Sequence, residues 1–261
     1  MSKINKRSPF IIWKDVIFAL FLREIRSKFN DKLGLGWAIL QPVSFILILS
    51  IMRGRLDGGE THSMPTFIFI IYGMVNILFF NSTLNSVSNS IKKNKALFAF
   101  RQVKPISSVM SLALLELLMQ IFIFILVYIV VYILRIEMRI DDPILMMFCM
   151  FQIWLIAVSL GIFFGIVKQF IPEIDKIRTL AMKPLIFISG VFFSLQDIPK
   201  NAWVYFDWNP LLHAIELSRQ ATYSSFGAIG VSHIYLSFST LTIFTFSMCV
   251  YVALWKKSIS V

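Results

Sequence analysis

The stretch REIRSKFNDKLGLGWAILQP, residues 23–42, joins a basic segment directly to a long apolar one. No charged residue occurs from Leu33 to Met52. At about 1.5 Å per residue, roughly 20 helical residues span the roughly 30 Å hydrocarbon core of a bilayer. Lysine and arginine are costly at mid-membrane and are retained on the cytoplasmic side, so this pattern predicts a membrane-crossing helix that starts in the cytoplasm. Pro42 is expected to bend that helix within its first turns.

The composition of the whole chain excludes a soluble globular protein. Hydrophobic residues make up 57% of the 261 residues and charged residues only 15%, and the mean hydropathy is +0.77. Too few polar side chains are therefore available to cover a water-facing surface. The net charge of +11 is spread between apolar segments and forms no basic domain, which argues against a nucleic-acid partner. Cys149 and Cys249 lie alone in separate apolar stretches, and we interpret them as small hydrophobic residues.

Six long apolar segments predict an all-α membrane protein that forms a single domain, residues 1–261. Within it, residues 1–32 form a cytoplasmic and interfacial segment, residues 33–255 a bundle of six transmembrane helices, and residues 256–261 a cytoplasmic tail. The cation-rich connections alternate with connections richer in acids, so both termini are expected in the cytoplasm. The expected spans begin near residues 33, 61, 105, 143, 179 and 232.

Two further segments are amphipathic and too polar to span. Residues 10–21 place apolar side chains at helical spacing beside cations, which predicts an N-terminal helix in the cytoplasmic interface; a gate and a simple anchor both fit. Residues 196–228 mix charges with aromatic residues, and Asn209 followed by Pro210 is a typical helix start. We expect short re-entrant helices there, between spans five and six, whose aromatic residues form an interfacial belt or stack on sugar rings.

Polar residues recur inside the second and third spans. Asn81, Asn85 and Asn89 follow Asn76 at near-helical intervals, and a polar face inside a membrane must bond to a neighbouring helix or border water. Helix–helix hydrogen bonds and a lining for a hydroxyl-rich passenger both fit this pattern. In the third span, Glu116 is expected near the bilayer centre, and the other apolar spans offer no ionisable partner at similar depth, so we interpret it as a helix–helix hydrogen bond.

The segment IKKNKALFAFRQVKPI, residues 91–106, carries five cations and no acid, which places it in the cytoplasm. Its apolar centre, residues 96–100, is expected to be exposed. Such a segment suits docking into a groove of a partner protein, and contact with the membrane surface is the competing explanation.

The sequence shows no catalytic motif. It lacks the phosphate-binding loop GxxxxGK[ST], HExxH and GxSxG, and its histidines, at 62, 213 and 233, are too scattered for a metal site. We therefore expect a transport conduit and not an enzyme. The energy for transport is expected to come from another protein.

Three stretches resemble the membrane subunit of the ABC exporters that carry capsular polysaccharide out of Gram-negative bacteria, within the type-2 exporter family. They are REIRSKFNDKLGLGWAILQP at 23–42, FRQVKPI at 100–106 with ALLELL at 113–118, and ISGVFFSLQDIP with WNPLLHAIELSR at 188–219. Two departures affect the first stretch: Lys28 stands where an arginine is usual, and the turn at Asn30 and Asp31 is shortened.

The resemblance implies a permease in the bacterial inner membrane that moves lipid-anchored polysaccharide. It implies a homodimer bound to two copies of a cytoplasmic ATPase, which holds the ATP and Mg²⁺, so no cofactor is expected on this chain. A periplasmic co-polymerase or adaptor and an outer-membrane export protein are further implied partners, beside membrane lipids. The candidate ATPase-coupling residues are Lys92, Lys93, Asn94, Leu97, Phe98 and Arg101; the gate or lipid-anchor residues are Trp13, Arg23, Arg26, Lys28 and Trp37; and the channel-lining residues are Asn81, Asn85, Asn89, Trp203, Tyr205 and Trp208.

Two other classes of transporter compete with this interpretation. A type-2 permease for another glycolipid, O-antigen, teichoic acid or a drug would have the same build. An ion-coupled carrier or channel would need no ATPase, but carriers of this kind have ionisable groups at mid-membrane and an inverted repeat. The sequence shows one buried acid and no repeat, so the carrier is disfavoured.

Overall fold

The computed structural model describes residues 8–29, 34–56, 59–100 and 102–260. These residues are predominantly helical, which confirms the predicted helical class. The α-helices are α1 (Pro9–Phe29), α2 (Gly34–Leu56), α3 (Thr66–Lys93), α4 (Pro105–Ile133), α5 (Pro143–Phe170), α6 (Ile174–Ile188), α7 (Pro210–Thr222) and α8 (His233–Ser260). A short antiparallel pair, β1 (Glu60–Thr61) and β2 (Met64–Pro65), precedes α3. The 3₁₀ turns are Lys95–Ala99, Leu195–Asp197, Lys200–Tyr205 and Ser224–Phe226.

Four helices in the described part of the chain, α3, α4, α5 and α8, are long and apolar enough to cross a membrane. The described apolar run of α2 is shorter, Leu40–Met52. Helix α6 has 15 residues and begins with a charged turn that contains Asp175 and Arg178. At about 1.5 Å per residue it is about 22 Å long, short of the roughly 30 Å hydrocarbon core. Length and composition therefore support four of the six predicted spans.

Helix α3 is the centre of the bundle. In its most apolar window 83% of residues are buried, against 22% for α8. Helix α5 lies directly against it: a Cβ atom at Gly161 would be 2.7 Å from Val87 Cβ, and one at Gly165 would be 3.1 Å from the Ser88 carbonyl oxygen. The two glycines therefore let the backbones approach closely. Their spacing in the sequence GIFFG, residues 161–165, is the small-xxx-small pattern that predicts close packing of membrane helices.

The segment between α6 and α8 contains one α-helix, α7, and several tighter turns. Helix α7 starts as predicted, because Asn209 Oδ1 accepts a hydrogen bond from Leu211 N at 3.0 Å and Pro210 occupies the first turn. The residues before it form a 3₁₀ turn, Lys200–Tyr205, and not a second α-helix. Ser194 and Asp197 cap a neighbouring turn reciprocally.

Candidate functional site

A cavity of about 580 Å³ lies between α2, α3, α4 and α6. Apolar side chains form part of its wall, among them Ile46, Phe79 and Met119. Its polar lining comes from α1 and from three of the surrounding helices: Lys28 on α1, Asn81, Ser82 and Asn85 on α3, Glu116 and Gln120 on α4, and Arg178 on α6. The cavity therefore brings together cationic, anionic and amide groups inside a helical membrane bundle.

The asparagines of α3 divide into three environments. Asn76 is 1% exposed, and its Nδ2 donates to Ser218 Oγ of α7 at 2.8 Å, so it joins two helices. Asn81 and Asn85 line the cavity. Asn89 lies outside the cavity lining: its Nδ2 donates to the Asn85 carbonyl oxygen at 2.8 Å, and its Oδ1 accepts from Lys168 at 2.5 Å. The polar face therefore joins two helices at Asn76 and borders the cavity at Asn81 and Asn85.

Arg178 fixes one wall of the cavity. Its side chain is 7% exposed and pairs with Asp175 at 2.9 Å, and its Nη2 donates to Asn85 Oδ1 at 3.1 Å. Lys168 approaches the same Asp175 at 3.4 Å. The charged turn at the start of α6 is therefore tied to the polar face of α3.

Helix α1 is held by a buried acid that the sequence analysis overlooked. Glu24 is 1% exposed and accepts hydrogen bonds from Lys93 and, at 3.1 Å, from Arg23. Arg23 also donates to Asn94 Oδ1, and Asn94 Nδ2 donates to Ser108 Oγ at 2.5 Å. Burial alone raises the pKa of Glu24, but the hydrogen bonds and charges of Lys93 and Arg23 outweigh it, so this pKa lies below its usual value.

A second link joins α1 to the cavity. Lys28 Nζ lies 3.1 Å from Glu116 Oε1, and Ser86 Oγ donates to the same oxygen at 2.6 Å. The Ser86 bond confirms the predicted helix–helix hydrogen bond of Glu116. The ionic partner of Glu116 comes from α1 and not from another apolar span, because α1 packs beside α4 and brings Lys28 to the carboxylate.

The other residues proposed as gate or lipid-anchor contacts lie in different structural environments. Trp13 is half-buried in an apolar groove between α1 and α4, with its ring centroid 6.2 Å from that of Phe10. Arg26 is exposed. The side chain of Trp37 lies outside the described side chains, and Arg101 lies outside the described residues.

The connection between α3 and α4 is only partly exposed. Phe98 is 9% exposed and belongs to the core, and Asn94 is also buried, so the expectation of an exposed apolar centre is wrong for Phe98. The reason is the 3₁₀ turn, which directs Phe98 inward and leaves Phe100 64% exposed. Leu97 is half-buried, Lys92 is exposed, and Lys93 is exposed but bonded to Glu24.

The aromatic candidates between α6 and α7 also divide. The half-buried Trp203 donates from Nε1 to the Ile198 carbonyl oxygen at 2.9 Å, and its ring packs so closely that a Cβ atom at Gly230 would lie 2.5 Å from it. Tyr205 and Trp208 are 72% and 57% exposed. Trp203 is therefore a packing residue, and the other two present their rings outward.

A buried ion pair that was not predicted from the sequence lies at the opposite end of the bundle from α1. We call it the Arg219 cluster: Arg219, Glu216, Ser194 and Phe69. Arg219 Nη1 lies 3.0 Å from Glu216 Oε1, and both side chains are fully buried. The guanidinium also donates to three backbone carbonyl oxygens within 3.2 Å, and it lies 3.4 Å from the centre of the Phe69 ring. Ser194 Oγ donates to the other Glu216 oxygen at 2.8 Å.

A sequence signal for this cluster existed. Glu216 and Arg219 are three residues apart, on one face of the helix. Two opposite charges at that spacing indicate an ion pair, but its burial and its backbone partners become visible only in three dimensions.

The helical bundle, its apolar spans and its polar cavity define a multi-pass membrane protein of transporter type. Residues 15–223 match the family model of the ABC-2 type transporter, and the chain belongs to this family. It is 34% identical over 246 residues to the polysialic acid transport protein KpsM of Escherichia coli. The aligned region covers 94% of this chain and 95% of KpsM.

Two other relatives carry related names. The chain is 27% identical over 231 residues to the capsule polysaccharide export inner-membrane protein BexB of Haemophilus influenzae, with 85% of this chain and 86% of the relative covered. It is 24% identical over 237 residues to the capsule polysaccharide export inner-membrane protein CtrC of Neisseria meningitidis serogroup B, with 86% of each covered.

Proposed function

We propose that this chain is the permease subunit of an ATP-driven exporter that moves lipid-anchored capsular polysaccharide across the bacterial inner membrane. The observation that carries the proposal is the similarity to KpsM along 94% of the chain, together with two further capsule export proteins. The cavity of about 580 Å³ supports it, because amide, hydroxyl and charged groups suit a hydroxyl-rich passenger.

The proposed topology has six crossings and two cytoplasmic termini. Helix α2 supplies one of the two crossings beyond the four helices that length and composition support. Helix α6 supplies the other together with the residues that follow Ile188, because α6 alone is about 22 Å long. Helix α7 with the preceding turns re-enters the outer leaflet. The positive-inside rule favours this orientation, because α3 ends with Lys92 and Lys93 and is followed by Lys95. In this topology, residues 1–32 are the cytoplasmic and interfacial segment, residues 33–255 the bundle of six spans and residues 256–261 the cytoplasmic tail.

The proposed assembly is a homodimer with two copies of a separate ATPase, which binds ATP and Mg²⁺. At the end of α3 and in the residues that follow it, Lys92, Lys95 and Phe100 are exposed, so they form the proposed surface that meets the ATPase. Charge and an exposed ring beside each other suit a protein groove. A periplasmic adaptor and an outer-membrane export protein complete the proposed export pathway of the polysaccharide.

Deletion of the gene in an encapsulated host tests the function. We expect loss of surface polysaccharide, measured by capsule staining, with polymer accumulating inside the cell, and recovery of the capsule when the wild-type chain is restored. An unchanged capsule with altered drug sensitivity would instead support a permease for drugs. A changed O-antigen or teichoic acid would support a permease for another glycolipid.

Co-purification tests the ATPase surface. We expect the double variant Lys92→Glu, Lys95→Glu to retain several-fold less ATPase than the wild type while inserting normally in the membrane. Lys200→Glu is the matched control, because Lys200 is equally exposed but lies in the segment between α6 and α7. Undiminished ATPase recovery with the double variant would contradict this docking surface.

A further inference from the structure

Two hydrogen bonds attach helix α1 to the segment that carries the proposed ATPase surface. We call this segment, residues 92–100, the docking segment. Glu24 of α1 is 1% exposed and accepts from Lys93, and the neighbouring Arg23 donates to Asn94 Oδ1. Because Arg23 also lies 3.1 Å from Glu24, the buried acid keeps a cationic partner even when Lys93 turns to solvent. Helix α1 is therefore held to the docking segment where the ATPase is proposed to act.

The same face of α1 also reaches the cavity. Lys28 follows Glu24 by four residues, and this spacing places the two side chains on one face of a helix. Lys28 Nζ lies 3.1 Å from Glu116 Oε1, and both of these residues line the cavity. Helix α1 therefore joins the docking segment to the cavity over about one helical turn.

The attachment of α1 at the cavity opens more readily than the attachment at the docking segment. The side chain of Lys28 is 32% exposed and can return to water, while Glu116 keeps the hydrogen bond from Ser86 at 2.6 Å. Parting of α1 from the docking segment would instead break two hydrogen bonds, one of them to a buried acid. Between the two attachments, α1 meets α4 through apolar side chains such as Phe21 and Leu117. Such contacts are non-directional, so α1 can shift against α4.

We propose that α1 transmits movement of the docking segment to the cavity. When the ATPase moves the docking segment, α1 follows it through Glu24, and Lys28 leaves Glu116. Glu24 and Lys28 are thereby positioning residues, which act through the movement of α1. The inference rests on the proposed function, which supplies the ATPase, and it gives α1 a role in transport beyond that of an anchor.

Cysteine labelling of the permease–ATPase complex in lipid nanodiscs tests this inference. In a background of Cys149→Ser and Cys249→Ser, Ser82→Cys places a thiol in the cavity lining; we call this chain the parent. The rate at which a water-soluble thiol reagent modifies it is measured without nucleotide and with ATP and vanadate, which trap the ATPase. In the parent we expect trapping to raise the rate several-fold, because the cavity opens when Lys28 leaves Glu116.

Two variants of the parent and their combination show whether the two attachments act in series. Glu24→Leu removes both acceptor oxygens, and the cations Arg23 and Lys93, 45% and 49% exposed, can return to water. This variant should retain the ATPase but lose at least half of the response to trapping. Lys28→Met should react fast with and without nucleotide, because the attachment at the cavity is already released. The double variant should behave like Lys28→Met alone, an order that a merely structural role of either residue does not produce.

Lys14→Gln is the matched control, because Lys14 is an exposed cation on the same helix; this variant should respond like the parent. Three results would overturn the inference while the ATPase still co-purifies: no response in the parent, a full response in Glu24→Leu, or a double variant that reacts slowly. Failure of the wild-type chain to retain any ATPase would overturn the proposed assembly and this inference with it. Deletion of the gene decides the export function separately, through loss or retention of the capsule.

Discussion

The two ends of the bundle hold their charges in different ways. In the Arg219 cluster both partners of the ion pair are fully buried, and backbone carbonyl oxygens accept hydrogen bonds from the guanidinium. Beside α1, the cationic partners stay open to solvent: Arg23 is 45% exposed, Lys93 49% and Lys28 32%. A buried pair is costly to break, whereas a partly exposed pair contributes little and can exchange partners. The Arg219 cluster is therefore a fixed part of the fold, and the contacts of α1 are suited to rearrange.

Removal of Arg219 should have the largest effect. Arg219→Ala leaves the Glu216 carboxylate and several backbone carbonyl groups buried without their donor, and we expect a loss of about 3–5 kcal/mol in stability. Size-exclusion chromatography of heated, detergent-solubilised protein measures it as a lower midpoint of unfolding. The double variant Glu216→Leu, Arg219→Met is the control and should recover part of the stability, because it removes both charges. An unchanged midpoint for Arg219→Ala would show that the cluster is dispensable.

A smaller effect is expected from crowding the same cluster. A Cβ atom at Gly73 would lie 2.7 Å from Arg219 Nη2 and 2.7 Å from the Val191 carbonyl oxygen. Gly73→Ala should therefore cost about 1–3 kcal/mol, as overpacking of a core does. Gly36→Ala is the matched control: among the described residues nothing lies within 4 Å of its Cβ position, so it should be neutral or slightly stabilising. Equal midpoints for the two variants would contradict close packing at Gly73.

The sequence predicted local features better than distant ones. The start of α7 at Asn209 and Pro210, and the close packing at Gly161 and Gly165, depend on neighbours in sequence or on a helical repeat. The bond between Glu24 and Lys93 joins residues 69 positions apart. No periodicity signals such a contact, so the basic stretch at residues 23–42 indicated membrane orientation but not how α1 is held.

The candidate site shows the same limit. Asn81 and Asn85 were singled out because they repeat along one helix face, and both line the cavity. Gln120 is a single amide in an apolar span, and Arg178 belongs to a charged turn, so neither forms a pattern that indicates a cavity. The burial of Phe98 was missed for a related reason: the 3₁₀ turn at Lys95–Ala99 directs Phe98 inward while Lys95, Ala96 and Ala99 stay exposed.

At the α1 end, loss of the Glu116 carboxylate should cost less than loss of Arg219. Glu116→Gln weakens the contacts with Lys28 and Ser86, and we expect a loss of about 1 kcal/mol because Lys28 keeps access to water. A double-mutant cycle with Lys28→Met measures the coupling between the two side chains from unfolding midpoints. The charge-swapped variant, Lys28→Glu with Glu116→Lys, should recover part of the loss. Strictly additive single effects would show that the ion pair does not couple α1 to α4.

The smallest effect concerns the pH dependence of Glu24. Its pKa in the folded protein lies below the usual value of 4.5 because the bonds and charges of Lys93 and Arg23 outweigh burial. For a lowered pKa, the stabilisation is present above the unfolded-state pKa and is lost as the pH falls through the folded-state pKa. Between about pH 5 and pH 3, the stability difference between wild type and Glu24→Gln should therefore shrink, by about 1 kcal/mol or less. Unfolding midpoints across that range measure the difference. The exposed Glu173→Gln serves as the control and should run parallel to wild type; if Glu24→Gln also ran parallel, the carboxylate of Glu24 would not stabilise the attachment of α1.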